Sequence, residues 1–179
     1  MFPFFFGINF LYGIINILLG VVKMSYKDLI LKLIEKKKTI ATMESCTGGG
    51  VANAITNIEG ASEVLRFSAV TYSNFGKIKM GVDPLVIDKY SVYSEECAKE
   101  MSFNITREAE SNYGVGITGK LNRVDVNNPY GEDNMVFISI YDKDNDKYYN
   151  AKVEATLGSR KDNKELVLDK ILEMLLEII

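Results

Sequence analysis

The chain has 179 residues, 47% of them hydrophobic, which is enough for one domain with a substantial core. Its net charge of −3 lacks the basic excess that nucleic-acid binding usually requires, so no nucleic-acid partner is expected. The chain contains no histidine, which excludes a Ser-His-Asp triad, a Cys-His dyad and every zinc site that uses histidine. It has only two cysteines, Cys46 and Cys97, which are too few for a four-thiolate zinc site and indicate a reduced, cytoplasmic setting.

The chain begins with an apolar segment, residues 1–23, whose first 22 positions carry no charge. About 20 apolar residues can cross a bilayer, and Lys23 and Lys27 would then keep the rest of the chain in the cytoplasm. The segment is a poor cleaved signal because no basic residue precedes its apolar run. Alternatively, the start codon is assigned too early, since Met24 begins a plausible soluble domain. We favour this alternative and expect membrane contact only if residues 1–22 are genuine.

Residues 24–179 are predicted to form one domain in which helices and strands alternate. Helical spacing of apolar residues and clusters of β-branched residues define the elements. In chain order they are a helix over 26–38, a strand over 39–43, a helix over 49–58 closed by Gly60, a strand over 64–73, a turn-rich connection or short helix, a helix over 94–113 capped by Ser94, a strand over 114–118, a loop over 119–134, a hairpin over 135–142 and 147–156, and a helix over 159–179. This order favours an α/β fold, a three-layer α/β/α sandwich with a mixed sheet.

The predicted hairpin also bears on assembly. Its edge, over residues 134–156, carries Tyr141, Tyr148 and Tyr149 and could pair with another copy of the chain. We therefore expect a homo-oligomer of undetermined copy number.

An acid, a hydroxyl and a thiol stand side by side where the first strand ends, in the run Glu44-Ser45-Cys46-Thr47, and glycines fill positions 48–50. A strand that leads into a glycine-rich helix start directs Ser45 at unpaired N–H groups, where the helix dipole favours negative charge. Such a turn can bind a phosphate, or stabilise an oxyanion if Ser45 attacks a carbonyl. Alternatively, Ser45 or Thr47 caps the helix and the glycines permit close packing, and this stretch alone fits that alternative better.

Four separated motifs favour a functional role for Ser45 over a purely structural one. They are ATMESCTGG from Ala41, VTYSNFGKIKMGV from Val70, VYSEECAKEM from Val92 and GVGITG from Gly114. In content and order they resemble the CinA C-terminal domain family, the nicotinamide mononucleotide deamidases. The resemblance runs from about Ser25 to the C-terminus.

This resemblance implies a three-layer α/β/α domain that hydrolyses nicotinamide mononucleotide to nicotinate mononucleotide and ammonia. Carried over by motif, Ser45 is the nucleophile, and Lys77 and Tyr72 activate it. A Ser-Lys site performs acyl transfer without histidine, provided that the pKa of the lysine is lowered so that it can act as a base. This mechanism requires neither a metal nor a cofactor. The expected partner of the protein is its small-molecule nucleotide substrate.

The substrate-binding residues expected from the motifs are Glu44, Thr47, Gly48, Gly49, Thr118, Gly119, Arg160 and Lys164. Several residues keep an alternative interpretation. Lys77 could be a solvated lysine beyond a strand, and Tyr72 a half-buried strand tyrosine. Cys46 could be the nucleophile, although small buried thiols are usually packing residues. Glu44 could be a base, a group that orients the ligand, or the partner of a lysine.

The chain departs from the family in two places. The family's glycine- and proline-rich loop after the last motif is replaced by GKLNRVDVNNPYGED, from Gly119 to Asp133. An arginine pair at the start of the final helix becomes Arg160 and Lys164, and lysine lacks the forked geometry with which arginine binds a phosphate. These departures leave three alternatives: an active amidohydrolase on a nicotinamide nucleotide, a catalytically degenerate relative that binds a nucleotide or regulates, and an enzyme whose substrate is changed by the altered loop over 119–134.

Overall fold

The computed structural model describes residues 24–179, and the apolar segment that we interpret as an anchor or a misassigned start lies outside them. Within this range no helix is long and apolar enough to span a membrane. In chain order the elements are α1 Tyr26–Glu35, β1 Ile40–Glu44, α2 Gly50–Thr56, α3 Ala61–Val64, β2 Leu65–Val70, α4 Asn74–Lys79, α5 Pro84–Tyr90, α6 Glu95–Ala109, β3 Tyr113–Gly119, β4 Met135–Asp142, β5 Lys147–Glu154 and α7 Arg160–Ile178.

The five strands form one mixed sheet in the order β2-β1-β3-β4-β5. Strand β1 pairs in parallel with β2 on one side and with β3 on the other. The pairs β3–β4 and β4–β5 are antiparallel. All five residues of β1 and all seven of β3 are buried, because these central strands are covered on both faces.

Helices cover both faces of the sheet, which confirms the predicted three-layer α/β/α architecture with a mixed sheet. On one face the apolar sides of α1, α2, α3 and α7 pack with alternate residues of the strands, including Val115 and Ile117 of β3. On the other face Met101 and Ile105 of α6 pack against Ala41 and Met43 of β1. Because β1 and β2 run parallel, their carboxyl ends lie at the same edge of the sheet. The loops that follow these two strands are therefore side by side.

One element differs from expectation in a way that matters for the site. The strand predicted over 64–73 ends at Val70, and the residues after Ser73 form the short helix α4. Ser73 caps this helix, since its hydroxyl accepts a hydrogen bond from the N–H of Gly76. Lys77 thus lies on a helix whose start is fixed beside β2, rather than in a segment beyond a strand end.

The hairpin predicted as an oligomer edge exposes less aromatic surface than expected. Tyr141 is only 7% exposed, its ring packs against those of Phe103 and Tyr148, and its hydroxyl donates to Asp146. Tyr148 and Tyr149 are half-buried. Since Tyr141 faces inward, it is not available to a second copy, and pairing there would have to use the backbone edge of β5.

Candidate active site

The hydroxyl of Ser45 and the amine of Lys77 meet beneath a cleft at the carboxyl edge of the sheet. Ser45 directly follows β1, and Lys77 lies on α4. Lys77 Nζ is 2.9 Å from Ser45 Oγ and donates a second hydrogen bond, of 2.7 Å, to the carbonyl oxygen of Thr71. The two side chains predicted to form the catalytic pair are therefore within hydrogen-bond reach of each other.

Lys77 is almost completely buried, with 1% of its surface exposed. No carboxylate among residues 24–179 forms an ion pair with it. Burial is the largest influence on its amine and lowers the pKa from the ordinary 10.5, while Cys97 and Cys46 act in the opposite direction. Because the charged form is disfavoured here, the amine is suited to accept a proton.

The two cysteines near Lys77 remain protonated thiols at neutral pH. Burial raises the pKa of Cys46 to about 11 and that of Cys97 to about 12. A thiol is nucleophilic only as its thiolate, so Cys46 is a poor alternative to Ser45 as nucleophile.

Tyr72 does not contact the Ser45–Lys77 pair through any hydrogen bond in the described part of the chain. It lies in the loop between β2 and α4, with 66% of its surface exposed. Its hydroxyl accepts a hydrogen bond of 3.0 Å from Arg160 Nη2, at the start of α7. The expected site is thus divided into a buried Ser–Lys pair and an exposed Tyr–Arg pair at the rim.

Glu44 holds the start of helix α2 rather than facing the cleft. Its carboxylate accepts hydrogen bonds from the N–H groups of Val51 and Ala52, at 3.2 and 2.9 Å. It also accepts a bond of 2.7 Å from the hydroxyl of Thr47, which is itself buried. Two of the helix-terminal donors that the sequence offers to a phosphate or an oxyanion, those of Val51 and Ala52, are therefore occupied by a carboxylate of the chain itself.

Two of the glycines shape the turn that carries Ser45 into α2. Gly48 and Gly49 have φ values of +65° and +89°, a left-handed conformation that favours glycine. Lys164 of α7 reaches this turn, because a Cβ atom built on Gly48 would lie 3.2 Å from Lys164 Nζ. The turn thus brings Lys164 beside the glycines with which it was predicted to bind substrate.

The end of β3 contributes less than its motif implied. Thr118 is fully buried, and its hydroxyl donates to the carbonyl oxygen of Val92, so it does not line the cleft. Gly119, with φ +152°, does line it. A strand residue that alternates toward the core cannot also face the open edge, which explains the difference between these neighbours.

The cleft has a volume of about 690 Å³ and extends from Ser45 to the loop over 119–133. We call this segment the rebuilt loop, because its sequence departs from the glycine- and proline-rich loop that the resemblance implies. Its wall is formed by residues of α4, of the segment before α6 and of the loop over 120–134, and its aromatic lining residues are Tyr72, Phe75 and Tyr93. This volume suits a ligand of nucleotide size. Within the described residues, no three His, Cys, Asp or Glu side chains converge into a metal-binding group.

Hydrogen bonds hold the rebuilt loop against the body of the protein. The hydroxyl of Tyr93 donates to Asp125, Asn128 Nδ2 donates to the same carboxylate, and Asn74 Nδ2 donates to Asn128 Oδ1 at 2.9 Å. The Tyr93 and Asn128 contacts lower the pKa of Asp125 to about 2, so the carboxylate is ionised at any ordinary pH. Sequence reasoning missed Tyr93 and Asn74, although both lie inside the quoted motifs.

Comparison with known proteins places this chain in a family. A sequence model of the CinA C-terminal domain matches residues 23–179. A competence-damage inducible protein of Clostridium perfringens (strain SM101) is 48% identical over 88 residues, and a CinA-like protein of Desulforapulum autotrophicum is 43% identical over the same length. Each match covers 49% of this chain but only 21% of the relative, so the chain matches about a fifth of the length of these curated relatives.

Solved structures show the same architecture. The competence/damage inducible protein CihA of Agrobacterium tumefaciens superposes with a TM-score of 0.73 at 25% identity, covering 85% of this chain and 94% of that one. A CinA superfamily protein of Escherichia coli gives 0.75 at 24% identity, covering 89% and 95%. Because the Escherichia coli protein is only 24% identical to this chain, its similarity shows the fold alone. With the family match over all of the described residues, these findings show that the chain belongs to the CinA C-terminal domain family.

Proposed function

We propose that this protein is an amidohydrolase that converts nicotinamide mononucleotide and water to nicotinate mononucleotide and ammonia. The observation that carries the proposal is the 2.9 Å contact between Ser45 Oγ and the buried amine of Lys77. A hydroxyl becomes nucleophilic when an adjacent base can take its proton, and a desolvated lysine is such a base. We further propose that the protein acts in the cytoplasm and as a homo-oligomer.

The proposed first half-reaction acylates Ser45. Lys77 accepts the hydroxyl proton as Ser45 Oγ forms a bond to the amide carbon, and the carbonyl oxygen becomes an oxyanion. Lys77 then returns that proton to the amide nitrogen, the C–N bond breaks, and ammonia leaves an ester on Ser45. Among residues 24–179 the N–H groups of Cys46 and Thr47 have no hydrogen-bond acceptor, which makes them candidates to stabilise the oxyanion.

Hydrolysis of the ester repeats the same proton transfers with water as the nucleophile. Lys77 takes a proton from the attacking water, and the ester carbon–oxygen bond breaks. Lys77 then gives its proton to Ser45 Oγ, which regenerates the starting state and releases the nicotinate product. The aromatic side chains of the cleft would pack against the pyridinium ring, whose positive charge favours contact with their faces.

Ammonia release by the purified full-length chain tests this proposal, with Ser45→Ala as the variant. We expect the substitution to lower kcat by roughly three orders of magnitude or more, because it removes the attacking atom. Cys46→Ala is the matched control at the next position and is expected to retain activity within a few-fold. Equal turnover by wild type and Ser45→Ala would contradict the mechanism.

The degenerate-relative alternative has its own supporting observation: Tyr72, one of the expected activating groups, is bonded to Arg160 and not to Ser45 or Lys77. Under that alternative, nicotinamide mononucleotide binds the cleft but is not hydrolysed. It would then raise the melting temperature of the wild-type protein while no ammonia is released. Stabilisation together with ammonia release favours the enzyme.

A further inference from the structure

The basic side chains that line the cleft outnumber the acidic ones. They are Lys77, Lys120, Arg123 and Arg160, against the single carboxylate of Asp125. Lys77 is engaged with Ser45. Lys120 is buried and forms an ion pair of 2.9 Å with Asp133. Two arginines therefore remain as the source of excess positive charge in the cleft.

Neither arginine is neutralised by a carboxylate of residues 24–179. Arg160 uses one N–H group on the hydroxyl of Tyr72. The guanidinium of Arg123 donates no hydrogen bond at all within this range, and the carboxylate of Asp125 accepts from Tyr93 and Asn128 rather than from it. Arg123 thus presents an unoccupied fork of donors to the cleft.

The backbone that carries Arg123 is braced on both sides. The N–H of Arg123 donates to the carbonyl oxygen of Asp133 at 3.0 Å. The ion pair of Lys120 with Asp133 precedes it, and the contact of Asp125 with Tyr93 follows it. A cation on a fixed segment loses less conformational entropy when it binds an anion than one on a free loop.

We propose that Arg123 is a specificity-determining residue that binds the phosphate group of the substrate, so that this chain prefers a pyridine nucleotide to the corresponding nucleoside. The guanidinium can form two parallel, charge-assisted hydrogen bonds with a phosphate, and Arg160 supplies a second positive charge to the same cleft. This inference rests on the proposed function in one respect, namely that the ligand carrying the phosphate is a pyridine amide.

The test compares nicotinamide mononucleotide with nicotinamide riboside, which lacks only the phosphate. We expect Arg123→Ala to lower the ratio of their kcat/KM values about 10-fold, the size of effect that one charge-assisted contact provides. Arg123→Lys should recover part of the ratio, because charge remains while the fork is lost. Arg66→Ala is the matched control, since Arg66 is exposed on β2 and does not line the cleft.

Calorimetric binding of both compounds in the Ser45→Ala background separates this inference from the proposed function. If no variant releases ammonia but Arg123→Ala weakens nucleotide binding relative to the riboside, the function fails and the assignment of Arg123 stands. If ammonia is released and Arg123→Ala keeps the preference for the nucleotide over the riboside, the assignment of Arg123 to the phosphate is overturned. The same holds if Arg66→Ala lowers that preference as much as Arg123→Ala does. Failure of the wild type to bind the nucleotide more tightly than the riboside would also overturn it.

Discussion

Lys77 combines burial with two hydrogen bonds and, within the part of the chain that the structure describes, forms no ion pair. These features define its behaviour at the scale of a single residue. Keeping a charged ammonium in this position costs free energy, whereas the neutral amine fits it. The same burial that prepares Lys77 to accept a proton from Ser45 should therefore make folding stability depend on pH.

The sign of that dependence follows from proton binding. Unfolding returns Lys77 to water, where its pKa regains the ordinary value of 10.5, above the lowered value of the folded protein. At pH values between the lowered pKa of the folded protein and 10.5, the unfolded chain binds more protons at Lys77 than the folded protein does. The contribution of Lys77 to the free energy of unfolding therefore rises with pH in this window. We expect the stability of the wild type relative to Lys77→Met to increase across this window, as measured by urea denaturation at a series of pH values up to 10.5.

Lys79→Met is the matched control for this series, because Lys79 lies on the same helix but is exposed. Its stability difference from the wild type should not change with pH in the same window. A flat profile for Lys77→Met would show that Lys77 is protonated in the folded state as readily as in water, and the general-base role would lose its basis. In activity assays, kcat/KM of the wild type should rise with pH through the lowered pKa, since only the neutral amine accepts a proton.

At the scale of elements, Glu44 joins β1 to α2. Its carboxylate, at the last position of the strand, binds two N–H groups at the start of the helix and the hydroxyl of Thr47 between them. The turn that these bonds enclose carries Ser45. Glu44 therefore positions the nucleophile by fixing both ends of the turn, and this role requires no contact with substrate.

Glu44→Gln is the substitution that tests this connection, because it keeps the shape of the side chain and removes its charge. The amide has one acceptor oxygen for the helix donors, so we expect the free energy of unfolding to fall by about 1–3 kcal/mol. Turnover should fall as well, through displacement of Ser45. Glu59→Gln, at an exposed position beyond the end of α2, is expected to change stability by less than about 0.5 kcal/mol. Equal stabilities of the two variants in thermal or urea unfolding would refute the role.

Element prediction succeeded where periodic apolar residues repeat over several turns. Helices α1, α6 and α7 and the strands of the hairpin show such patterns, and their predicted positions match within a few residues. Helix α4 was missed because it spans six residues, buries Lys77 rather than an apolar face, and depends on the Ser73 cap. The contact of Lys77 with Ser45 could be anticipated only from the motifs, since the two residues are 32 positions apart.

The role of Glu44 could not be predicted from local patterns for a related reason. Its bonds to Val51 and Ala52 exist only because the chain reverses direction through the left-handed glycines 48 and 49. Likewise, the pairing of Tyr72 with Arg160 joins segments 88 positions apart. Such contacts follow from the order of strands in the sheet, which the alternation of elements does not determine.

At the scale of the whole molecule, two glycines set the distance between the sheet and the helix layer that covers one of its faces. In β3, Val115 and Ile117 face one core, and Gly114 and Gly116 face α6. A Cβ atom at Gly116 would lie 2.2 Å from the carbonyl oxygen of Ala98 and 2.5 Å from the backbone nitrogen of Ser102. Helix α6 thus rests directly on the backbone of the central strand.

Gly116→Ala should therefore force the helix away from the sheet, since the atoms in its way belong to backbone and cannot rotate aside. We expect a loss of about 3 kcal/mol or more in the free energy of unfolding, which corresponds to a melting temperature lower by roughly 6–12 °C in a domain of this size. Gly158→Ala is the matched control, because nothing lies within 4 Å of a Cβ atom at that position, and its stability should change by no more than about 0.5 kcal/mol. Comparable melting temperatures for the two variants would mean that the layers can separate without cost. The close contact of α6 with β3 would then not be what holds the three layers, and the loop that follows β3, in place.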